Sequence, residues 1–135
     1  MKRTLFLSIL IVFFTTSLMS IVGCNNQTST KEQLKEDKEQ FELQEKCGGI
    51  SREFFKNEFS RETSYYRNHY NKKMNKCFIL VTGLYTTFKS LNDVNENKRY
   101  GVLLITKDGI GCDVLEKKCK SEQEWDSLVK PYMEE

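Results

Sequence analysis

Hydrophobic and polar positions divide this chain into three parts. Residues 4–23, TLFLSILIVFFTTSLMSIVG, carry no charge and are mostly apolar, whereas residues 25–46 contain ten charged side chains and three large apolar ones. From residue 47 onward, short apolar segments alternate with polar turns, which is the pattern of a folded unit. The chain is therefore predicted to consist of an apolar leader (1–23), a polar tether (24–46) and one folded domain (47–135).

The first half of the folded domain predicts one helix and two strands. In CGGISREFFKNEFSRE, apolar residues such as Ile50 and Phe54 recur about every four positions, and two glycines mark the predicted start of the helix. Two strands are predicted at 65–70 and 77–85, separated by the polar turn NKKMNK. The second strand is rich in β-branched and aromatic residues, which is typical of a central strand.

The second half of the domain predicts a loop, a hairpin and a closing helix. The segment LNDVNEN is predicted to be a loop, and RYGVLLITKDGIGCDVL predicts a hairpin that turns at Asp108 and Gly109. The last segment, SEQEWDSLVKPYMEE, begins with a capping box of Ser121 and Glu124. The predicted fold is α+β, an antiparallel four-stranded sheet flanked by an N-terminal and a C-terminal helix that both pack on one face.

Length and charge limit the classes of function. The chain has 135 residues, which leaves room for one compact domain. Its net charge of +2 includes Lys2 and Arg3; without residues 1–23, the 21 basic residues fall to 19 and equal the 19 acidic ones. A formally neutral mature chain does not indicate a strongly anionic partner such as nucleic acid.

The leader has two interpretations on length alone. A run of about 20 apolar residues suits both a membrane-spanning helix and a secretory signal. The four residues IVGC, Ile21–Cys24, resemble the lipobox of bacterial lipoproteins, in which a small residue directly precedes the modified cysteine. The resemblance implies that residues 1–23 are removed and that Cys24 carries acyl chains such as palmitate, which hold the protein at the membrane. An uncleaved anchor and an ordinary cleaved signal are the alternatives.

The same resemblance implies a location. Asn25 is not the aspartate that retains such lipoproteins at the inner membrane. The expected location is the bacterial cell envelope, in the outer membrane facing the periplasm if the source has two membranes. The segment after Cys24 is then a solvated tether that fluctuates into helix from about residue 31 onward. A coiled coil is the alternative, and it rests on the single heptad spacing of Leu34 and Phe41.

Four cysteines belong to the folded domain, and an even number in a small exported domain predicts two disulfides. A zinc site is disfavoured because no two of these cysteines have CxxC spacing. Three pairings are possible, and we prefer Cys47 with Cys77 and Cys112 with Cys119. The first bridge closes a loop of about 30 residues, which stabilises the fold by roughly 3 to 4 kcal/mol on the chain-entropy model.

The sequence does not indicate an enzyme. His69 is the single histidine, and it has no acidic residue close to it in the sequence. Asp108 and Asp113 are more simply turn and surface residues than an acid/base pair. The chain has no Gly-rich phosphate loop, no GxSxG and no HExxH motif. We therefore predict a non-catalytic protein without cofactor or metal. The alternative is a small envelope enzyme whose site is assembled in space.

The segment RETSYYRNHYNKKMNK, residues 61–76, is the main candidate for binding. It contains five basic residues, one glutamate, three tyrosines and a histidine. Basic side chains interleaved with aromatic rings favour an anionic partner, and export favours an envelope protein or polyanion over nucleic acid. The alternative is an outward hairpin whose charges serve solubility. The candidate binding residues are Arg67, Tyr70, Lys72 and Lys73.

The alternation of side chains along residues 61–76 provides a structural test of the binding hypothesis. Tyr66 and Tyr70 are expected on one side of the strand, with Arg67 and His69 on the other.

Further strings, NHYNKKMNKCF and CKSEQEW, resemble stretches of small exported bacterial proteins, which implies a disulfide-bonded exported domain and no particular activity. The sequence thus predicts an envelope-anchored lipoprotein that acts as a non-catalytic binding module. An inhibitor or exclusion factor against an external protein shares these features and stays open.

Overall fold

The structure is a computed structural model that describes residues 26–134. The predicted signal peptide and Cys24 lie outside the described residues. Residues up to Lys35 and residues from Glu36 onward form two compact units, and the sheet belongs to the second. Across residues 26–134, no helix combines the length and the apolar character needed to cross a membrane.

The first helix, α1, spans Asn26–Glu58 and is 33 residues long. The prediction that a helix starts at the two glycines is therefore wrong, and the predicted boundary between residues 46 and 47 falls inside α1. Each helical glycine costs about 1 kcal/mol relative to alanine. Cys47 and Ser51, one turn apart on either side of the glycines, are buried at 1% and 0% exposure. Their packing against the sheet keeps this part of the chain helical.

The rest of the domain is a six-stranded sheet followed by a second helix. All neighbouring strands are antiparallel, and their order in the sheet is their order in the chain. The strands are β1 (Ser64–Asn71), β2 (Lys76–Gly83), β3 (Thr87–Asp93), β4 (Lys98–Thr106), β5 (Gly109–Val114) and β6 (Lys117–Lys118), and α2 spans Glu122–Met133. The α+β class, the antiparallel sheet and the two helices that flank it are confirmed.

The predicted number of four strands is wrong, because β3 and β6 were missed. β3 contains Lys89, Ser90, Asn92 and Asp93, which read as loop residues in the sequence. In the structure each of them has a partner. Asn92 Nδ2 donates to Ser90 Oγ at 3.0 Å, and Asp93 pairs with Lys76 Nζ at 2.5 Å. Polar residues can thus occupy a buried strand, since their hydrogen bonds and ion pairs offset the cost of removing them from water.

The two helices pack on opposite faces of the sheet, so the prediction that they share one face is also wrong. Strand β2 explains the three-layer arrangement, because it is apolar on both faces. Ile79 and Val81 pack with Phe55 of α1, whereas Phe78 and Leu80 join the cluster under α2. A strand with two apolar faces has to be covered twice, and one layer of helices does not do that.

The core beneath α2 is centred on Trp125, which is fully buried. Gly101 lies against it, and a Cβ at this position would be 3.0 Å from Trp125 Cζ3 and 2.7 Å from the carbonyl oxygen of Asp113. The serine half of the capping box predicted for this helix is confirmed: Ser121 Oγ accepts a hydrogen bond from the N–H of Glu124 at 3.2 Å. The Glu124 carboxylate accepts from the N–H of Lys120, one residue before the cap, at 2.8 Å. The cap and the tryptophan together fix where α2 starts on the sheet.

Both preferred disulfides are present. Cys47 of α1 is bonded to Cys77 of β2, with a Cα–Cα distance of 5.4 Å. Cys112 of β5 is bonded to Cys119, just after β6, with a Cα–Cα distance of 5.0 Å. The first bridge ties a helix to the second strand of the sheet, and the second closes the short hairpin at the far edge.

Candidate functional site

The predicted binding residues lie on β1 and the turn that follows it, and their side chains point to different faces. Tyr66 packs on Phe55 of α1, with ring centroids 4.7 Å apart. Arg67 lines a groove under α2 on the other face. The alternation of Tyr66 and Tyr70 with Arg67 and His69 follows from the strand register and is confirmed. The four candidate residues therefore do not form one continuous surface.

Tyr70 and Lys72 belong to the α1 side, where contacts within the domain already engage them. The Tyr70 hydroxyl donates to Asn75 Oδ1 at 2.7 Å, and the Tyr70 N–H donates to Gln44 Oε1 of α1 at 2.8 Å. Lys72 forms an ion pair with Glu36, and its hydrogen bond and charge lower the pKa of that carboxyl. These contacts assign Tyr70 and Lys72 a role in holding α1 beside β1.

Arg67 lies in a groove of about 490 Å³ between β1 and the C-terminal half of α2. Val129 and Leu80 contribute apolar lining, and Tyr65, 52% exposed, stands beside Arg67. Within residues 26–134, the Arg67 guanidinium has no hydrogen bond or ion pair. A guanidinium with five donors in a fixed fork is suited to a carboxylate, so this groove can accept an acidic group from outside.

A second cation of the same groove is already paired. Lys89 of β3 lies 2.8 Å from Glu122 and 2.9 Å from Asp126, both on α2. Burial lowers the pKa of Lys89, but the hydrogen bonds that Lys89 donates to the two carboxylates, together with their charge, outweigh burial, so that the pKa is raised overall. Lys89 thus fastens α2 to the sheet, which leaves Arg67 as the cation of the groove open to a ligand.

The backbone of β1 forms one edge of the sheet. The Leu84 N–H donates to the Thr63 carbonyl at 2.8 Å. The backbone N–H and C=O groups of the odd-numbered residues in β1 therefore point toward β2. In an antiparallel ladder the alternate residues point their N–H and C=O groups outward. Tyr66 and Asn68 are such residues. Within the described part of the chain, no group bonds to their outward backbone donors and acceptors.

Sequence reasoning missed this edge, because every strand has the same backbone and only the strand order shows which one is unpaired. It also missed Gln44, whose side chain caps the outward N–H of Tyr70. Gln44 lies in a polar segment where no pattern distinguishes it from Gln40. The signal available in the sequence was the composition of SYYRNHYN, which is polar and aromatic without an aliphatic residue and fits a strand beside solvent.

The opposite edge of the sheet is built differently. Strand β6 consists of Lys117 and Lys118, both exposed. The N–H of Cys119 donates to the carbonyl of Cys112 at 3.1 Å, and the disulfide between these cysteines closes the hairpin. A two-residue strand with two lysines is poorly suited to pair with another strand.

His69 faces α2, and its Nε2 is buried without a hydrogen-bond partner, as is Nε1 of Trp125. Within residues 26–134 no carboxylate or thiol contacts His69. In the same residues, no three His, Cys, Asp or Glu side chains are grouped closely enough to hold a metal ion.

Comparison of the chain with protein-family models, with curated proteins and with solved structures found no match. The sequence and the geometry of β1 and its surroundings therefore carry the functional argument.

Proposed function

We propose that the protein is an envelope-anchored lipoprotein whose domain is a non-catalytic binding module. It holds an extended, acidic segment of another envelope protein along the edge of β1. The lipid anchor is supported by the apolar leader and by the sequence IVGC before position 25. Export is supported by the two disulfides, which persist in oxidising compartments.

The observation that carries the binding role is the outward backbone of Tyr66 and Asn68, which has no hydrogen-bond partner among the described residues. An extended peptide that lies beside Tyr66 and Asn68 forms the next strand of the sheet, and its main-chain hydrogen bonds supply affinity. Such an edge attracts strands without sequence preference, so the neighbouring side chains have to supply specificity. Those side chains are Tyr65 and Arg67 on the α2 side of the strand.

Arg67 determines the chemistry of the captured segment. Alternate side chains of an added strand point to the α2 face, next to the groove of Arg67. A carboxylate there gains a charge-assisted, bidentate hydrogen bond, which is about twice as strong as a neutral one. Leu80 and Val129 give part of the groove an apolar lining, so apolar neighbours of the acidic residue fit the same face. The two carboxylates that line the groove, Asp126 and Glu134, are paired with Lys89 and Lys130.

Site-specific photo-crosslinking in intact cells tests this role. A benzophenone-bearing analogue of phenylalanine at Tyr65 is expected to crosslink one main protein, through a segment that contains Asp or Glu. The same probe at Lys118, on the opposite edge, should crosslink that protein weakly or not at all. Arg67→Glu should abolish the Tyr65 crosslink, whereas Lys118→Glu, a matched charge reversal, should leave it intact.

Two results would contradict the proposal. One is a Tyr65 crosslink that survives Arg67→Glu, and the other is equal crosslinking from both edges. A partner that comes from outside the cell would instead support the role of an inhibitor or exclusion factor. Intact-mass measurement of the mature protein tests the anchor separately: an acylated Cys24 as first residue is expected, and any other first residue refutes the lipoprotein assignment.

A further inference from the structure

The two ends of the sheet differ in charge. The turns between β1 and β2, β3 and β4, and β5 and β6 lie at one end, which we call the basic end. Lys76, at this end, is engaged by Asp93 and Glu96, each at 2.5 Å. Four exposed basic side chains at this end have no carboxylate partner in the described residues, whereas two exposed acidic side chains there, Glu39 of α1 and Glu116, have no basic partner. The four are Lys73, Lys98, Arg99 and Lys117.

The opposite end has no such excess. Its turns carry Arg61 and Lys107, which are balanced by Glu62 and Asp108. A surface that holds several unpaired cations within one end of a small domain produces a local positive potential, even though the mature chain is formally neutral. The basic end is therefore the part of the domain that attracts an anionic surface.

Leu115, at the tip of the β5–β6 turn, is the most unusual residue of the basic end. Its φ is 53°, in the left-handed region, and the residues at similar φ in the other two turns are Asn75 at 52° and Asn97 at 49°. Asparagine tolerates this conformation, whereas a bulky side chain there is strained. Leu115 is nevertheless 47% exposed. Its side chain gains little from packing, so folding does not account for leucine at this position.

Met74 projects from the neighbouring β1–β2 turn and is 40% exposed. Met74 and Leu115 line a groove of about 750 Å³ that continues to Leu128 on α2. Lys98 and Lys117 line the same groove. Two apolar side chains at turn tips, next to lysines with apolar stems, form a surface with the composition of an interfacial membrane contact.

We propose that the basic end docks on an anionic phospholipid bilayer, with Met74 and Leu115 in the headgroup region and the lysines against lipid phosphates. The chain path supports this choice over a protein partner. Glu36, the first residue of the second compact unit, pairs with Lys72 of the β1–β2 turn, so the chain enters this unit at its basic end. The inference rests on the membrane attachment proposed above and not on capture by β1.

Amide hydrogen exchange tests the docking. The full chain, purified from cells, is reconstituted into vesicles of equal parts phosphatidylglycerol and phosphatidylcholine, and into vesicles of phosphatidylcholine. Exchange of the Lys73 and Glu116 amides should be slower by about tenfold on the anionic vesicles, because within the described residues these turn N–H groups have no hydrogen-bond partner and report contact directly. The loop at 84–86, at the opposite end, should exchange equally on both.

Two pairs of variants identify the surface. Leu115→Asn should remove most of the slowing, and its unfolding temperature should be equal to or above that of the natural chain, because asparagine relieves the strain. Leu84→Asn, at the opposite end and 49% exposed, is the matched control and should keep the slowing. Lys98→Gln with Lys117→Gln should weaken docking by about 25-fold, or about fivefold for each lysine.

The inference is overturned by equal exchange on the two vesicle types, by slowing at 84–86 in place of the turns, or by variants that dock as the natural chain does. The intact mass of the same preparation reports the lipid on Cys24. Crosslinking from Tyr65 reports capture by β1. Failure of docking is thus distinguishable from failure of the proposed function.

Discussion

The two edge strands of the sheet differ in length and in composition. Strand β1 is eight residues long and leaves the outward backbone groups of Tyr66 and Asn68 without partners in the described residues. Strand β6 is two residues long, consists of two lysines and is closed by a disulfide. Exposed edges promote association with other strands, and proteins usually shorten or charge them. β6 pairs with Asp113 and Val114 of β5 and not with Ile110, which is 46% exposed, so the far edge is covered over part of its length. The β1 edge carries no further strand in the described residues.

The open edge is nevertheless partly controlled. Gln44 reaches from α1 and accepts the outward N–H of Tyr70, so pairing with a further strand is confined to the N-terminal part of β1. On the other side of the strand, Arg67 has no partner among residues 26–134, while Lys89, in the same groove, has two. The open edge is therefore limited in length by one side chain and given a charge preference by another.

The largest expected effect concerns the disulfides near each edge. Replacing Cys47 and Cys77 together by alanine should lower the free energy of unfolding by about 4 kcal/mol, and replacing Cys112 and Cys119 by about 2 kcal/mol. The two bridges span 30 and 7 residues, and closing the longer loop removes more chain entropy from the unfolded state. The longer bridge therefore stabilises the fold more. Urea unfolding of both variants measures the difference, and equal losses would contradict this assignment.

The next effect concerns the cap at the open edge. Gln44→Ala should cost about 1 kcal/mol and speed amide exchange of Tyr70 about fivefold, because the N–H loses its partner. Gln40, one turn earlier on α1 and beside the same tyrosine, is the matched control. Gln40→Ala should leave the exchange rate unchanged. Equal rates in the two variants would show that Gln44 does not close this end of the edge.

The smallest effect separates a binding residue from a structural one within a single groove. Arg67→Ala should change the free energy of unfolding by less than about 0.5 kcal/mol, because its guanidinium has no partner to lose. Lys89→Ala should cost about 1 kcal/mol, since α2 loses two ion pairs and the packing of the lysine stem. Thermal unfolding measures both, and a larger loss for Arg67 would assign it to the fold.

The elements that the sequence predicts well are those with local signals. The capping box at Ser121 depends on residues three apart, and its serine half is present. The predicted hairpin between β4 and β5 is present, although its two turn residues are Lys107 and Asp108, and Gly109, at φ 142°, is the first residue of β5. β2 was also predicted, because its apolar and β-branched run is visible without knowledge of its neighbours.

The elements that the sequence predicts poorly depend on partners distant in the chain. Asp93 is suited to a strand because Lys76, 17 residues away, reaches it. Gly48 and Gly49 lie within α1 because the neighbouring Cys47 is bonded to Cys77. The candidate site divides in the same way. Arg67 was found from its residue type, whereas the open edge beside it required the order of the strands.

The bond between Cys47 and Cys77 has a mechanical consequence. A pull on the N-terminal chain is transmitted along α1 and stops at Cys47, because the covalent bond passes the load to β2. That strand is held by β1 on one side and β3 on the other, so the load is shared between two ladders. Stretching can unravel the helix as far as residue 46 while the sheet keeps its shape. The segment before Cys47 can thus lengthen under load, and the Cys47–Cys77 disulfide limits that lengthening.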